Sequence, residues 1–384
     1  MDTRALPDEP RQIELIKLAW KCDRLFLKRE LAGKSGARLH LIDIQVDGFD
    51  GQAILKISID DLASENRMQT RALELSPAFG TTHFPRALRY EKFDGWSALL
   101  MTVAGSGLLF TNVFSSISKS SFRLLAAQNI TDQILSKWNI AAKFSNEEYT
   151  ASSLLKDWLG HRVGPDSRLP NLIEKLYDAS AESEGFELLG NRYPNPLAFI
   201  TSDAAGSANA RLFPVCGFSH GDFHGANVLV KEYPATPSEF YIIDFDAFEE
   251  SKPLLFDNAY FELSYLLKQR ESAVLERWLS LMGSLENVEE TSVVTSALRD
   301  SEDHGHVWCA AMMRSSVKTW VSRKFPERKE DITKQMLLAR VAAGLNFAQK
   351  TQLDSAHQKS NKLKEFSLLY AASNLRSFSE VYQT

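Results

Sequence analysis

The spacing of apolar positions changes character once along the chain. Ile13, Leu15, Ile16, Leu18 and Ala19 recur at three and four, which predicts a short helix over 9–20. Period-two segments follow at 24–31, 38–46 and 52–59, each rich in Leu, Ile and Val and bounded by Gly, Asp or Ser. Asp47-Gly48 and Asp50-Gly51 mark turns between them. A helix is predicted from about Leu62 to Leu75, capped by Asp60-Asp61 and stopped before Pro77; Glu65, Met68, Ala72 and Leu73 share its inner face. Two more strands, 86–93 and 96–103, flank the hairpin signal Asp94-Gly95.

Beyond Gly105 the spacing is helical. The Ser-rich stretch 106–121 reads as a loop entering a helix, and 122–144, 153–159, 172–179, 254–268, 273–282, 307–321, 332–350 and 363–378 as helices. Two short apolar strands interrupt them, Val228-Leu-Val230 and Tyr241-Ile-Ile243. The expected fold class is α+β. A small antiparallel-sheet lobe spans 1–104 and a larger, mostly helical lobe spans 105–384.

Composition narrows the classes. A 384-residue chain is long enough for two cores. Its net charge of −5 argues against a dedicated nucleic-acid binder. The basic cluster Arg323-Lys324 and Arg328-Lys329 is broken by Glu327 and followed by Glu330-Asp331, as in a solvated loop. No apolar run approaches the roughly 18 residues a membrane helix needs, and the first ten residues are polar, without a secretory pattern. Cys22, Cys216 and Cys309 are scattered without ligand spacing, which suits a reducing compartment. The expectation is a cytoplasmic protein with neither membrane nor nucleic acid as partner.

The candidate chemistry begins at Gly33-Lys34-Ser35-Gly36. It is not a Walker A loop, because Lys28 stands where the first glycine is required and a strand follows instead of a helix. A plain hairpin turn and a glycine flap over phosphates both remain open. Lys56 lies mid-strand among Ile54, Leu55 and Ile57, where a lysine either needs a partner or points to solvent. Glu65 is the expected partner and Glu74 the fallback.

The densest signal is Phe218-Ser-His-Gly-Asp-Phe-His-Gly-Ala-Asn227, followed by Ile242-Ile-Asp-Phe-Asp246. Pairing the two strands brings Asn227 and Asp244 together, with Asp222 a few residues away. Asp and Asn oxygens suit Mg²⁺, and a remaining carboxylate can accept a hydrogen bond from an attacking hydroxyl. His220 and His224, with Asp222 between, permit a zinc reading, weakened by Gly221 and Gly225. A loop that satisfies only its own backbone is the third option.

His220-Gly-Asp-Phe-His-Gly-Ala-Asn227 with Ile242-Ile-Asp-Phe245 resembles the catalytic and metal loops of the aminoglycoside phosphotransferase and choline kinase-like group, with fructosamine kinases close by. The resemblance covers about residues 22–270 and implies a bilobal, kinase-like fold using ATP and Mg²⁺. It implies Asp222 as catalytic base, Asn227 and Asp244 as Mg²⁺ ligands, and Gly33, Lys34, Ser35 and Gly36 as the nucleotide-positioning loop. Lys56 would meet the α- and β-phosphates with Glu65 as its partner. Met101 and Val103 belong to the implied adenine hinge, and Leu229 with Ile243 to the adenine floor. His220 is implied to support the loop, and Asp257 to brace it. The triplet Asp244-Phe-Asp246 departs from the pattern in which glycine closes it.

Two readings follow. The first is an ATP-dependent phosphotransferase acting on a hydroxyl or amine of a small-molecule acceptor. Asp246, Glu249, Glu250 and Glu262 would suit a cationic acceptor if they face it. The second is a kinase-like regulatory module without turnover, or a protein kinase of the same fold. The complete set Lys56, Asp222, Asn227 and Asp244 favours turnover.

Overall fold

The structure is a computed structural model. It describes residues 8–31, 37–105, 111–164, 166–201, 206–269, 274–287, 302–350 and 358–383. The chain divides into two compact units: Met1–Val113 with Asn227–Phe248, and Phe114–Ala226 with Glu249–Thr384. Within the first unit, the strand Thr111–Val113 pairs with Val228–Lys231, which in turn pairs with Phe240–Ile242.

The first unit carries a five-stranded antiparallel sheet of strands β1 (Arg24–Leu31), β2 (Arg38–Val46), β3 (Phe49–Ser58), β4 (Ala87–Phe93) and β5 (Trp96–Thr102), ordered β1-β2-β3-β5-β4. Alternation sends Ile42, Ile44, Val46, Ala53, Leu55, Ile57, Ala98 and Leu100 into one core, which Ile13, Ile16 and Trp20 of the helix Glu9–Trp20 also enter. Strand β3 begins earlier than its spacing suggests, since only Asp47 and Gly48 form the turn, both at positive φ. The Asp94-Gly95 hairpin forms as expected, with Phe93 opposite Trp96 and their rings stacked. The helix Ala63–Leu75 is anchored by Ala63 N–H donating to Asp61 Oδ1 at 2.9 Å. A further helix, Pro77–His83, starts on the proline expected only to stop the previous one.

The second unit is mostly helical. Ser120–Gln133 continues as a π-turn, Ile134–Trp138, and the expected helix then ends. Lys143–Phe144 is instead an edge strand on Val215–Ser219, which also pairs with Glu249–Pro253. A small hairpin, Gly185–Leu188 with Asn191–Pro194, has no counterpart among the expected elements. The later helices are Phe256–Gln269, Leu275–Asn287, Glu302–Lys324, Lys329–Ala348 and Gln358–Gln383. Among the described residues, no helix is long and apolar enough to cross a membrane.

Candidate active site

Lys56 lies in a strand paired on both sides, opposite Leu39 of β2 and Leu99 of β5. Its aliphatic stem is held within the sheet and its ammonium must be satisfied locally. Nζ is 2.5 Å from Glu65 Oε2 and 3.8 Å from Asp244 Oδ1. The Lys56 and Glu65 side chains are 11% and 6% exposed, whereas Asp244 is 43% exposed. Glu65 sits in the first turn of its helix, on the face that also buries Gln69 and Ala72. Glu74 turns to the surface toward Arg71, so Glu65 is the partner.

Burial acts against the Lys56 charge, yet Glu65 and Asp244 outweigh it and raise the lysine above its ordinary range. Glu65 is also raised: burial, Asp244 and Asp246 together exceed the pull of one lysine. Three carboxylates therefore share a single ammonium, a negative excess that a divalent cation would relieve.

Asp244 follows the strand Phe240–Ile242 and adopts a positive φ of 71°, a conformation that Asp tolerates better than most residues. The Ile243 N–H donates to the Asn227 carbonyl at 3.0 Å, one step beyond the Val228–Ile242 pair. Buried Asn227 and exposed Asp244 are thereby carried at one end of one ladder. A side-chain amide oxygen and a carboxylate are hard donors, and the set fits Mg²⁺ completed by phosphates and water. Met101, Val103, Leu229 and Ile243 are each half-buried, leaving apolar surface available. Gly33, Lys34, Ser35 and Gly36 lie outside the described residues.

In the second unit, Asp222 stands on a loop pinned from several sides. The Asp257 carboxylate, in the first turn of Phe256–Gln269, accepts from Ser219 Oγ at 3.0 Å, His220 N–H at 2.6 Å and Gly221 N–H at 3.0 Å. Burial raises Asp257 in spite of these donors and of His220. The His220 Nδ1 accepts from the Asp222 N–H at 3.3 Å, and Ser264 Oγ accepts from the Gly225 N–H at 3.1 Å. Upstream, Asn139 brackets Phe218, accepting from its N–H and donating to its carbonyl. Buried Gln335 ties Val215 to Leu254 in the same way.

The Asp222 carboxylate meets Lys350 Nζ at 3.3 Å on Oδ1 and His224 Nε2 at 3.5 Å on Oδ2. The His224 Nδ1 accepts from the Ala226 N–H, which leaves Nε2 to carry the proton toward Asp222. Burial opposes ionisation of Asp222, but Lys350, His224 and His220 overcome it and hold the carboxyl below its usual range. Among the described residues, no group of three His, Cys, Asp or Glu side chains is placed to hold a metal ion. Both imidazoles already engage backbone N–H groups through Nδ1.

Sequence reasoning missed Lys350, which is 128 positions from Asp222, and the Asn139 bracket. It also placed Glu262 among acidic residues that could face an acceptor. Glu262 is instead buried, 2.7 Å from Arg314 and 3.8 Å from Arg340, and accepts from the Tyr370 hydroxyl.

No family model matches the chain, and no curated protein matches it. Among solved structures it is similar to a chain described as a fructosamine-3-kinase from Haemophilus somnus 129PT, at 12% identity over 94% of this chain and 95% of that one, with a TM-score of 0.44. It is also similar to an aminoglycoside-3'-phosphotransferase of type VIII, at 13% identity over 80% of this chain and all of that one, with a TM-score of 0.40.

Proposed function

We propose that this protein is an ATP-dependent phosphotransferase that moves the γ-phosphoryl group onto a hydroxyl of a small-molecule acceptor. The observation that carries the reading is the Lys56–Glu65 pair with Asp244 beside it. A lysine held on a central strand by a helix glutamate, next to an exposed carboxylate in a negative cluster, has the chemistry needed to orient nucleotide phosphates.

Asn227 and Asp244 would hold Mg²⁺, which when bound would neutralise phosphate charge. Lys56 orients the α- and β-phosphates, and Glu65 fixes the rotamer of Lys56. Met101, Val103, Leu229 and Ile243 supply apolar contact for adenine. Asp222, kept ionised by its cationic neighbours, accepts a hydrogen bond from the acceptor hydroxyl. As the oxygen–phosphorus bond forms, the bond to the β–γ bridging oxygen breaks. The hydroxyl proton passes to Asp222 and ADP leaves. Asp257 does no chemistry; it fixes the loop that carries Asp222.

The test is turnover of Mg-ATP by the full chain across a panel of hydroxyl compounds, beside Asp222→Asn. The expected result is acceptor-dependent ADP release that falls at least about a hundredfold in the variant, the low end of what one acid–base group contributes. Equal turnover by the two proteins removes Asp222 from the reaction. Binding of Mg-ATP without turnover under any acceptor would favour a regulatory module instead.

A further inference from the structure

Lys350 stands two residues past the helix Lys329–Ala348. Its ammonium lies 5.0 Å from the centre of the Tyr260 ring and 5.4 Å from that of Phe347. The two rings form a floor that steadies a cation without neutralising it. The one carboxylate within ion-pair distance of Lys350 among the described residues is Asp222. Two donors also stand against Asp222, His224 and Tyr260. His224 holds the second oxygen of Asp222. The Tyr260 hydroxyl is buried with Asp222 as its hydrogen-bonding neighbour. Its pKa is raised well above the ordinary phenol range by burial and then by Asp222, while exposed Arg162 acts on it in the opposite direction.

These charges bear on the acceptor. If Asp222 receives the acceptor hydroxyl, its oxygens turn to the incoming proton and Lys350 loses part of its counter-charge. A cationic substituent beside that hydroxyl would then face an ammonium, with Arg162 on the same side. An anionic substituent would replace the charge that Lys350 gives up. Glu262, one of the four carboxylates that would suit a cation, is already neutralised by Arg314 and Arg340.

We propose that Lys350, seated on Tyr260 and Phe347 beside Asp222, is a specificity-determining residue that selects an acceptor carrying an anionic oxygen group, carboxylate or phosphate, next to the hydroxyl that is phosphorylated. The assignment rests on the phosphotransferase reading of Asp222.

The experiment uses the full chain saturated with Mg-ADP, and four polyols matched in size but not in charge: gluconate, glucose 6-phosphate, glucitol and glucosamine. Binding is read by calorimetry and by the shift in unfolding midpoint. At least one of the two anions should bind at least about tenfold more tightly than glucitol or glucosamine, the effect of one well-placed charge contact. The difference between gluconate and glucose 6-phosphate tells carboxylate from phosphate. Lys350→Glu should reverse the order toward glucosamine, and Lys350→Met should level it; far-UV circular dichroism checks that both remain folded. The proposal is overturned if glucitol or glucosamine binds as tightly as the anions, if neither anion binds, or if Lys350→Met keeps the wild-type order. A failure of Mg-ADP itself to stabilise the wild-type chain would instead sink the nucleotide reading, and is seen separately in the sample without polyol.

Discussion

Glu65→Gln keeps the shape of the side chain and removes its charge. Of the two carboxylates within ion-pair distance of the Lys56 ammonium, which is 11% exposed, the change leaves only Asp244 charged, at 3.8 Å. Removing one member of a buried ion pair costs about 3–5 kcal/mol, because the other charge stays buried without compensation. Asp244 returns part of that. Unit charges 3.8 Å apart attract by about 1 kcal/mol in water and about 4 kcal/mol at an effective dielectric of 20, and the 43% exposure of Asp244 places the pair toward the lower figure. The expected loss is therefore about 2–4 kcal/mol. In Lys56→Met/Glu65→Gln no buried charge remains, so most of the stability should return, with a coupling of about 2 kcal/mol between the sites. Nucleotide binding should not return, because the phosphate-facing cation is gone. Urea denaturation followed by tryptophan fluorescence measures the first effect, and the Mg-ATP shift of the midpoint measures the second. The reasoning is refuted if Glu65→Gln lies within about 0.5 kcal/mol of wild type, the range of ordinary surface substitutions. It is equally refuted if the two losses simply add, or if Lys56→Met keeps full Mg-ATP protection.

Three further outcomes are expected. Burial works against the Glu262 charge, but Arg314 and Arg340 hold its pKa below the ordinary glutamate range, so its stabilising effect is present above that range and is lost as pH falls through the lowered folded value. Glu262→Gln should cost about 3–5 kcal/mol near neutrality, and the gap in melting temperature to wild type should close on going from about pH 7 to about pH 3; a constant gap contradicts the pairing. Asp257→Asn leaves three donors facing one amide oxygen and should cost about 3 kcal/mol, with turnover falling more than nucleotide affinity, measured by urea denaturation and steady-state kinetics. Lys350→Met removes a charge 3.3 Å from Asp222, which is 39% exposed, so the attraction lost is about 1.3 kcal/mol in a water-like dielectric. The Asp222 pKa should rise, and the acid limb of the kcat/KM profile should move to higher pH; an unmoved limb refutes Lys350 as its neighbour in solution.

The parts legible in the sequence are those decided by near neighbours. Asp94-Gly95 forces its hairpin because a two-residue turn needs positive φ, and Gly95 supplies it at 79°. Lys56 stands out because a lysine inside an apolar alternation needs a partner, and Glu65 is only nine residues away on a helix whose face can be counted. The failures are tertiary. Lys143–Phe144 follows a helical pattern but becomes a strand because Val215–Ser219 offers an edge. Thr111–Val113 lies just past the Ser-rich stretch's start and joins the first unit by pairing with Val228–Lys231.

The sign of the charge near Asp222 failed to read for a related reason. Summing carboxylates along the sequence assigns each a free charge, yet a carboxylate acts on a ligand only with what its own partners leave over. Glu262 has its charge consumed by Arg314, Arg340 and the Tyr370 hydroxyl. Glu249 lies 3.2 Å from Lys252, which takes part of its charge at the surface. Lys350, at the end of a predicted helix, looks like any cation complementing a helix C-terminus. Folding sets its ammonium over two aromatic rings beside Asp222, where it outweighs more distant carboxylates because attraction falls with distance and with solvent screening. On the proposed phosphotransferase reading, the motif at 220–227 would receive the hydroxyl, and a lysine 128 positions from its aspartate would set which charge accompanies it.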